Sequence, residues 1–187
     1  MDGLSLADLL LAVAWLVLIG DLLRSAARAR VAATRRLIGV LLLIVMLVAG
    51  WILETANGGR LVWHPAWAAI GVTVAWLGLA LHGWARWTLA RGWSPVVSPP
   101  ANAPLVEAGP YARIRHPLYA AVLLLAAGTL MAHASRATVS ASLGAAIGIA
   151  LKRRAEDRAL EQRFGERWRA YAARVPAFVP RLTRARP

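Results

Sequence analysis

Two apolar stretches, LIGVLLLIVMLVAGWIL (Leu37–Leu53) and AWAAIGVTVAWLGLALHGWA (Ala66–Ala85), lie in a segment whose only formally charged side chains are Glu54 and Arg60. Each is close to the roughly 20 apolar residues that cross a bilayer as a helix. Working outward, a third apolar run begins near Leu4 and ends near Leu23. Two shorter runs, Pro117–Ala132 and Thr138–Leu151, follow the middle of the chain. Hydrophobic residues make up 59% of the 187 positions, against about 45–50% in an ordinary soluble domain. A soluble enzyme and a disordered tail are therefore excluded. The first run has no basic leader and no small-residue cleavage site, so it reads as a span rather than a secretory signal.

The expected fold is all-α: a polytopic membrane bundle of about five helices (4–23, 37–53, 66–90, 117–132 and 138–151) forming one domain over 1–187. A broken loop spans 91–116, and a cytoplasmic amphipathic helix spans 152–174. Gly144 and Gly148 form a GxxxG spacing, and Ala120, Ala127 and Gly128 are also small. Such residues let helix backbones approach closely in lipid.

The net charge of +13 would suggest nucleic acid in a soluble protein. Its distribution points to a membrane surface instead, with no nucleic-acid partner. Arg24, Arg28, Arg30, Arg35 and Arg36 fill one connection, and eleven basic residues between Lys152 and Arg186 face only four acids. By the positive-inside rule these segments are cytoplasmic, beside anionic membrane lipids. The N-terminus is then outside, the Glu54–Pro65 connection outside, Arg86–His116 inside and His133–Arg136 outside. Trp51, Trp63 and Trp67 fall at the outer interface, and Trp84, Trp87 and Trp93 at the inner one. Arginine dominance over a single lysine and the compact size suggest a bacterial inner membrane. Cysteine is absent, which excludes disulfides, thiolate nucleophiles and Cys-ligated metals. His64, His82 and His133 are scattered, the first two reading as interfacial or helix-packing residues, and no metal site is expected.

Chemistry concentrates in two polar regions on the inner side. Residues 91–119 contain six prolines, too many for one helix. Gly109-Pro110 makes a turn, and Arg115, His116 and Tyr119 gather at the start of a helix whose first turn suits Pro117. Unpaired N–H groups there favour a carboxylate or phosphate ligand. An interfacial anchor of Arg and Tyr at the headgroups explains the same residues. In the tail, Lys152, Glu156, Leu160, Phe164 and Trp168 recur every four positions, on one helix face. That stripe packs on the membrane domain or lies in the interface, and the Lys152–Glu156 spacing also suits an ordinary ion pair.

Taken together, the two regions resemble the isoprenylcysteine carboxyl methyltransferase family, which includes phospholipid-methylating relatives. The matching residues are Leu105-Val106, Gly109, Tyr111, Arg115-His116-Pro117 and Tyr119, then a helical hairpin. Glu156-Asp157, Phe164-Gly165, Tyr171 and Arg174-Val175-Pro176 follow in the family's order. The resemblance covers roughly residues 86–180. It implies a site for S-adenosyl-L-methionine (SAM) between the loop and the tail helix. Leu105 and Val106 would offer backbone and Tyr111 would pack on the cofactor. Gly109 and Arg115 belong to the same binding motif, and His116, Pro117, Leu118 and Tyr119 would line its polar end. Glu156 falls on the family's substrate-side Glu. Lys152 stands where the family has Arg, losing the planar fork, so Arg153 or Arg154 is an alternative partner for the acceptor. Asp157 replaces a second Glu, and Trp168 replaces a Tyr.

The activity so implied is SAM-dependent methyl transfer to a lipid-like small-molecule acceptor, an isoprenoid-like carboxylate or an amine headgroup. The sulfonium is already activated, so in-line placement counts for more than an acid–base pair. Two rivals remain open at this point. One is a membrane reductase using a nicotinamide cofactor, since distant reductases share a similar C-terminal arrangement. The other is a non-enzymatic scaffold whose basic face binds anionic lipid.

Overall fold

The computed structural model describes residues 5–27, 60–62, 65–89 and 104–180. The expected span Leu37–Leu53 lies outside the described residues, as do most of the first basic loop and residues 91–103 of the second. Among the described residues the fold is all-α apart from one minimal ladder. Helix α1 is Leu6–Ala27, α2 is Pro65–Leu89, α3 is Pro117–Ala132, α4 is Arg136–Phe164 and α5 is Glu166–Arg174. Strand β1 (Arg60–Val62) pairs antiparallel with β2 (Ala134–Ser135), a short ladder that hydropathy does not signal. Helices α1 and α2 are each long and apolar enough to cross a membrane. Their outward faces carry exposed Leu6, Leu16, Trp67, Leu77 and Trp87, the surface that lipid rather than water accommodates.

The centre of the fold is the antiparallel pair α2–α3. Gly71 lies so close to α3 that a Cβ there would stand 2.5 Å from the Gly128 carbonyl oxygen. A Cβ on Gly128 would collide in turn with the Gly71 carbonyl, and one on Gly78 would meet the Ala121 carbonyl at 2.8 Å. Small residues thus permit backbone-to-backbone packing, with Gly128 in the expected role. Among the described residues, no atom lies within 4 Å of the Cβ direction of Gly144 or Gly148. Helix α4 presents Leu143, Ile147 and Leu151 outward along the same stretch.

Helix α1 packs on this pair through Leu11, Ala14 and Leu18, against Ala75, Leu125 and Ala132. Trp15 Nε1 donates to Thr129 Oγ1 at 3.0 Å. Near the C-terminal end of α1, Asp21 meets α2. Its carboxylate takes Arg86 side-on, Nε at 2.8 Å and Nη2 at 3.1 Å, and His82 Nε2 lies at 3.0 Å. His82 is therefore a packing residue with an ionic partner.

Helix α4 opens on a capping box. Ser135 Oγ accepts from the Thr138 N–H, and Thr138 Oγ1 accepts from the Ser135 N–H, satisfying two donors at a helix start. The helix then runs without interruption through Leu151 into the charged segment as far as Phe164. The expected separate helix over 152–174 is corrected: its first half continues the hairpin's second arm, and the chain turns at Gly165. Gly165 has φ +54°, a left-handed conformation that glycine adopts freely. The reason is the strong helix formers Lys152–Arg163, which carry α4 past its apolar stretch. The turn directs α5 back so that Trp168, Tyr171 and Val175 cluster with Leu105, covered by Leu160 and Phe164.

Candidate active site

The site grows from the start of α3. Pro117 occupies the first helical turn, and His116 before it is the N-cap residue, its side chain making no capping bond to the helix backbone. Upstream, a 3-10 turn at Gly109–Ala112 is seated on α2: Gly109 has φ +59°, and its Cβ direction points at Thr88 and Trp84. The loop is held from the other side by the segment after α5. The Arg115 N–H donates to the Pro176 carbonyl at 2.8 Å, and the His116 N–H to the Ala177 carbonyl at 3.1 Å. The Tyr171 hydroxyl donates to the Tyr111 carbonyl at 2.8 Å. These three bonds satisfy buried backbone groups that an irregular loop would otherwise leave exposed.

Helix α4 brings its acids to this loop. His116 Nε2 donates to Asp157 Oδ1 at 2.8 Å, and the Tyr119 hydroxyl donates to Glu156 Oε2 at 2.6 Å. Arg153 Nη1 reaches Asp157 Oδ2 at 2.9 Å, and Arg115 Nη1 stands 4.0 Å from Oδ1. The His116 and Tyr119 rings stack at 5.6 Å, with planes 18° apart. Lys152 Nζ sits 5.6 Å over the Tyr119 ring, Arg115 lies 5.6 Å over Trp168, and Arg153 lies 5.9 Å over Phe178. Cations over aromatic faces are attracted by the ring quadrupole.

The electrostatics follow from burial and neighbours. Burial alone would raise the Asp157 carboxyl, but the His116 hydrogen bond and the charges of His116, Arg115 and Arg153 outweigh it and hold it below its ordinary range. The Tyr111 hydroxyl is raised well above its usual value, first by burial and then by the charge of Glu156, with Arg86 opposing. Tyr171 is pushed up to about 12, chiefly by burial. Both phenols thus stay protonated near neutral pH.

All the residues singled out in sequence fall in this region, with different surroundings. Tyr111, His116 and Pro117 are buried; Val106, Arg115, Leu118 and Tyr119 are partly so. Leu105 turns its side chain into the Trp168–Tyr171–Val175 cluster. Lys152 and Glu156 converge on Tyr119, whereas Arg153 is committed to Asp157 and Phe178. Arg154, the other alternative, is exposed. Sequence reading gave Asp157 no role beyond the acidic pair and missed Phe178, whose ring lies 6.0 Å from that of His116. The position of Phe178 just after Arg174-Val175-Pro176 was the available signal.

Residues 62–162, more than half of the chain, match the Isoprenylcysteine carboxyl methyltransferase (ICMT) family. The chain belongs to that family. It is accordingly a membrane methyltransferase, and the matched span takes in α2, the loop, α3 and α4 as far as residue 162, past the two acids. No curated protein matches the chain significantly. Helix α1, α5 and the Pro176–Phe178 clasp lie outside the matched residues.

Proposed function

We propose that the protein transfers the methyl group of SAM to an amphiphilic acceptor at the cytoplasmic face of the membrane. The acceptor is an isoprenoid-like carboxylate or a lipid headgroup. The observation that carries this reading is the junction of the loop with α4, where His116 meets Asp157 at 2.8 Å and Tyr119 meets Glu156 at 2.6 Å.

The donor set suits SAM. Arg115 Nε is buried with no hydrogen-bond partner among the described residues, and the neighbouring α3 N-terminus lacks a side-chain cap. A guanidinium and free helix N–H groups favour a carboxylate such as that of the methionyl end. Tyr111, His116 and Tyr119 supply aromatic faces for the remainder, and Glu156 supplies a negative charge for a cationic centre. When bound, SAM supplies a methyl group already activated on a sulfonium.

The chain's own residues then position and desolvate. Asp157 fixes the His116 ring, and His116 stacks on Tyr119, so the loop and α4 are held in one geometry before ligands arrive. Lys152 would hold an anionic acceptor, while Glu156 would take the proton released by an amine acceptor. The charge distribution supports five crossings, with the N-terminus outside and the site inside, and the arginine-rich composition supports a bacterial inner membrane. Such a site lets a lipid-like acceptor remain in the bilayer while its head meets a water-soluble cofactor.

The test is transfer of isotope-labelled methyl from SAM, with detergent-solubilised protein, to isoprenylated cysteine and to phospholipid vesicles, read by mass spectrometry. Label in one acceptor class supports the reading and identifies the class. Retention of a reduced nicotinamide without label transfer would support a reductase instead. Neither transfer nor ligand retention would leave the lipid-binding scaffold.

A further inference from the structure

The cluster of Asp21, His82 and Arg86 joins α1 to α2 near the C-terminal ends of both helices, three ionisable side chains gathered between otherwise apolar faces. Adhesion of α1 does not need it. That helix already buries Leu11, Ala14 and Leu18 and makes the Trp15–Thr129 bond.

Its height in the bundle is informative. Gly71 abuts Gly128 and Ala132, and Gly78 abuts Ala121, Leu124 and Leu125. Continuing this antiparallel register by one turn brings His82 level with Tyr119. Trp84 and Thr88 already touch the Gly109 turn, so Arg86 lies at the height of the loop that carries Tyr111, Arg115 and His116. Tyr111 feels its charge, opposed by that of Glu156 on α4. Arg86 is thus a cation of α2 at the height of the loop, in addition to the cations of the loop and α4.

We propose that Asp21 of α1 is a positioning residue that orients Arg86 by side-on pairing, so that Arg86 binds the carboxylate of a ligand in the methyl-transfer site. This rests on the methyl-transfer reading. Two carboxylates satisfy the chemistry, that of the cofactor's methionyl end and that of an acceptor. The Asp21 carboxylate engages Arg86 through Nε and Nη2 and His82 through Nε2, which fixes the guanidinium plane. Lysine at 86 would keep the charge but not the fork.

The test uses the full chain in detergent, comparing wild type with Asp21→Asn and Arg86→Lys. S-adenosylhomocysteine affinity is measured by calorimetry, and KM and kcat are measured with an isoprenylated cysteine bearing a free carboxylate. Both variants are expected to weaken one ligand about ten-fold or more, as loss of a group that orients a binding residue does, with kcat changed much less. Weaker S-adenosylhomocysteine binding assigns the cofactor carboxylate, and a raised acceptor KM alone assigns the acceptor. Arg86→Lys keeps a charged pair with Asp21 and so reports even if Asp21→Asn does not fold. A folded Arg86→Lys protein with a lower melting temperature but unchanged Kd and KM would make the cluster a structural staple and overturn the inference. Wild type that binds neither ligand would instead remove the methyl-transfer reading on which it rests.

Discussion

The Tyr119 hydroxyl donates to Glu156 Oε2 across 2.6 Å, joining the first turn of α3 to the point where α4 leaves its apolar stretch. Lys152, one turn earlier on α4, covers the same ring. Tyr119 therefore holds together the two α4 residues proposed for the acceptor side.

Replacing Tyr119 by Phe removes that bond and keeps the stacking with His116. A hydrogen bond to a charged group contributes about 1.5–3 kcal/mol. Turnover is expected to fall by roughly ten-fold or more, since each 1.4 kcal/mol is about a factor of ten. Steady-state kinetics check this, with Glu156→Ala expected to lower kcat while leaving S-adenosylhomocysteine affinity near wild type.

Asp157 predicts an acid limb. Its carboxyl is held below 3.8, so its contribution to stability is complete above that value and is lost as pH falls through the lower folded value. Asp157→Asn should be less stable at pH 6 and should show a shallower loss below pH 4. Unfolding midpoints across that pH range, in one detergent, measure it.

The helix contacts predict opposite fates for two glycines. Gly71→Ala forces a methyl against the Gly128 carbonyl and the Ala132 backbone, and overpacking of this kind costs about 1–3 kcal/mol. Gly144→Ala meets no atom of the described residues and should be neutral or slightly stabilising, because alanine is the better helix former. Melting temperatures of the two variants should move apart.

Tyr171→Phe leaves the Tyr111 carbonyl without its hydroxyl donor. A buried acceptor left unsatisfied costs about 1–3 kcal/mol. The loop should loosen, read as faster hydrogen exchange over residues 105–116 and weaker cofactor affinity.

Much of the fold was legible because local rules decided it. Pro117 marks the start of α3, and the apolar run ending at Ala132 sets its length, so sequence and structure agree there. Helix α2 follows hydropathy to within one residue at each end. The continuity of α4 was not legible, because hydropathy changes at Lys152 while helix propensity does not. Of the packing glycines, Gly128 was legible as a small residue on its helix, whereas its partner Gly71 was not, because the two meet only through a tertiary register. Within the site, residue types and spacing brought out His116, Tyr119 and Glu156. The role of Asp157 needed the α3–α4 approach, and that of Phe178 needed the turn at Gly165 and the return of the chain beyond α5.

The most direct measurement is a calorimetric titration of S-adenosylhomocysteine into the detergent-solubilised protein and its His116→Ala variant. Saturable binding to wild type, weakened about ten-fold or more when His116 no longer links the loop to Asp157, is the predicted result. No saturable binding to wild type, or equal affinity in the folded variant, would contradict a cofactor site built between the loop and α4.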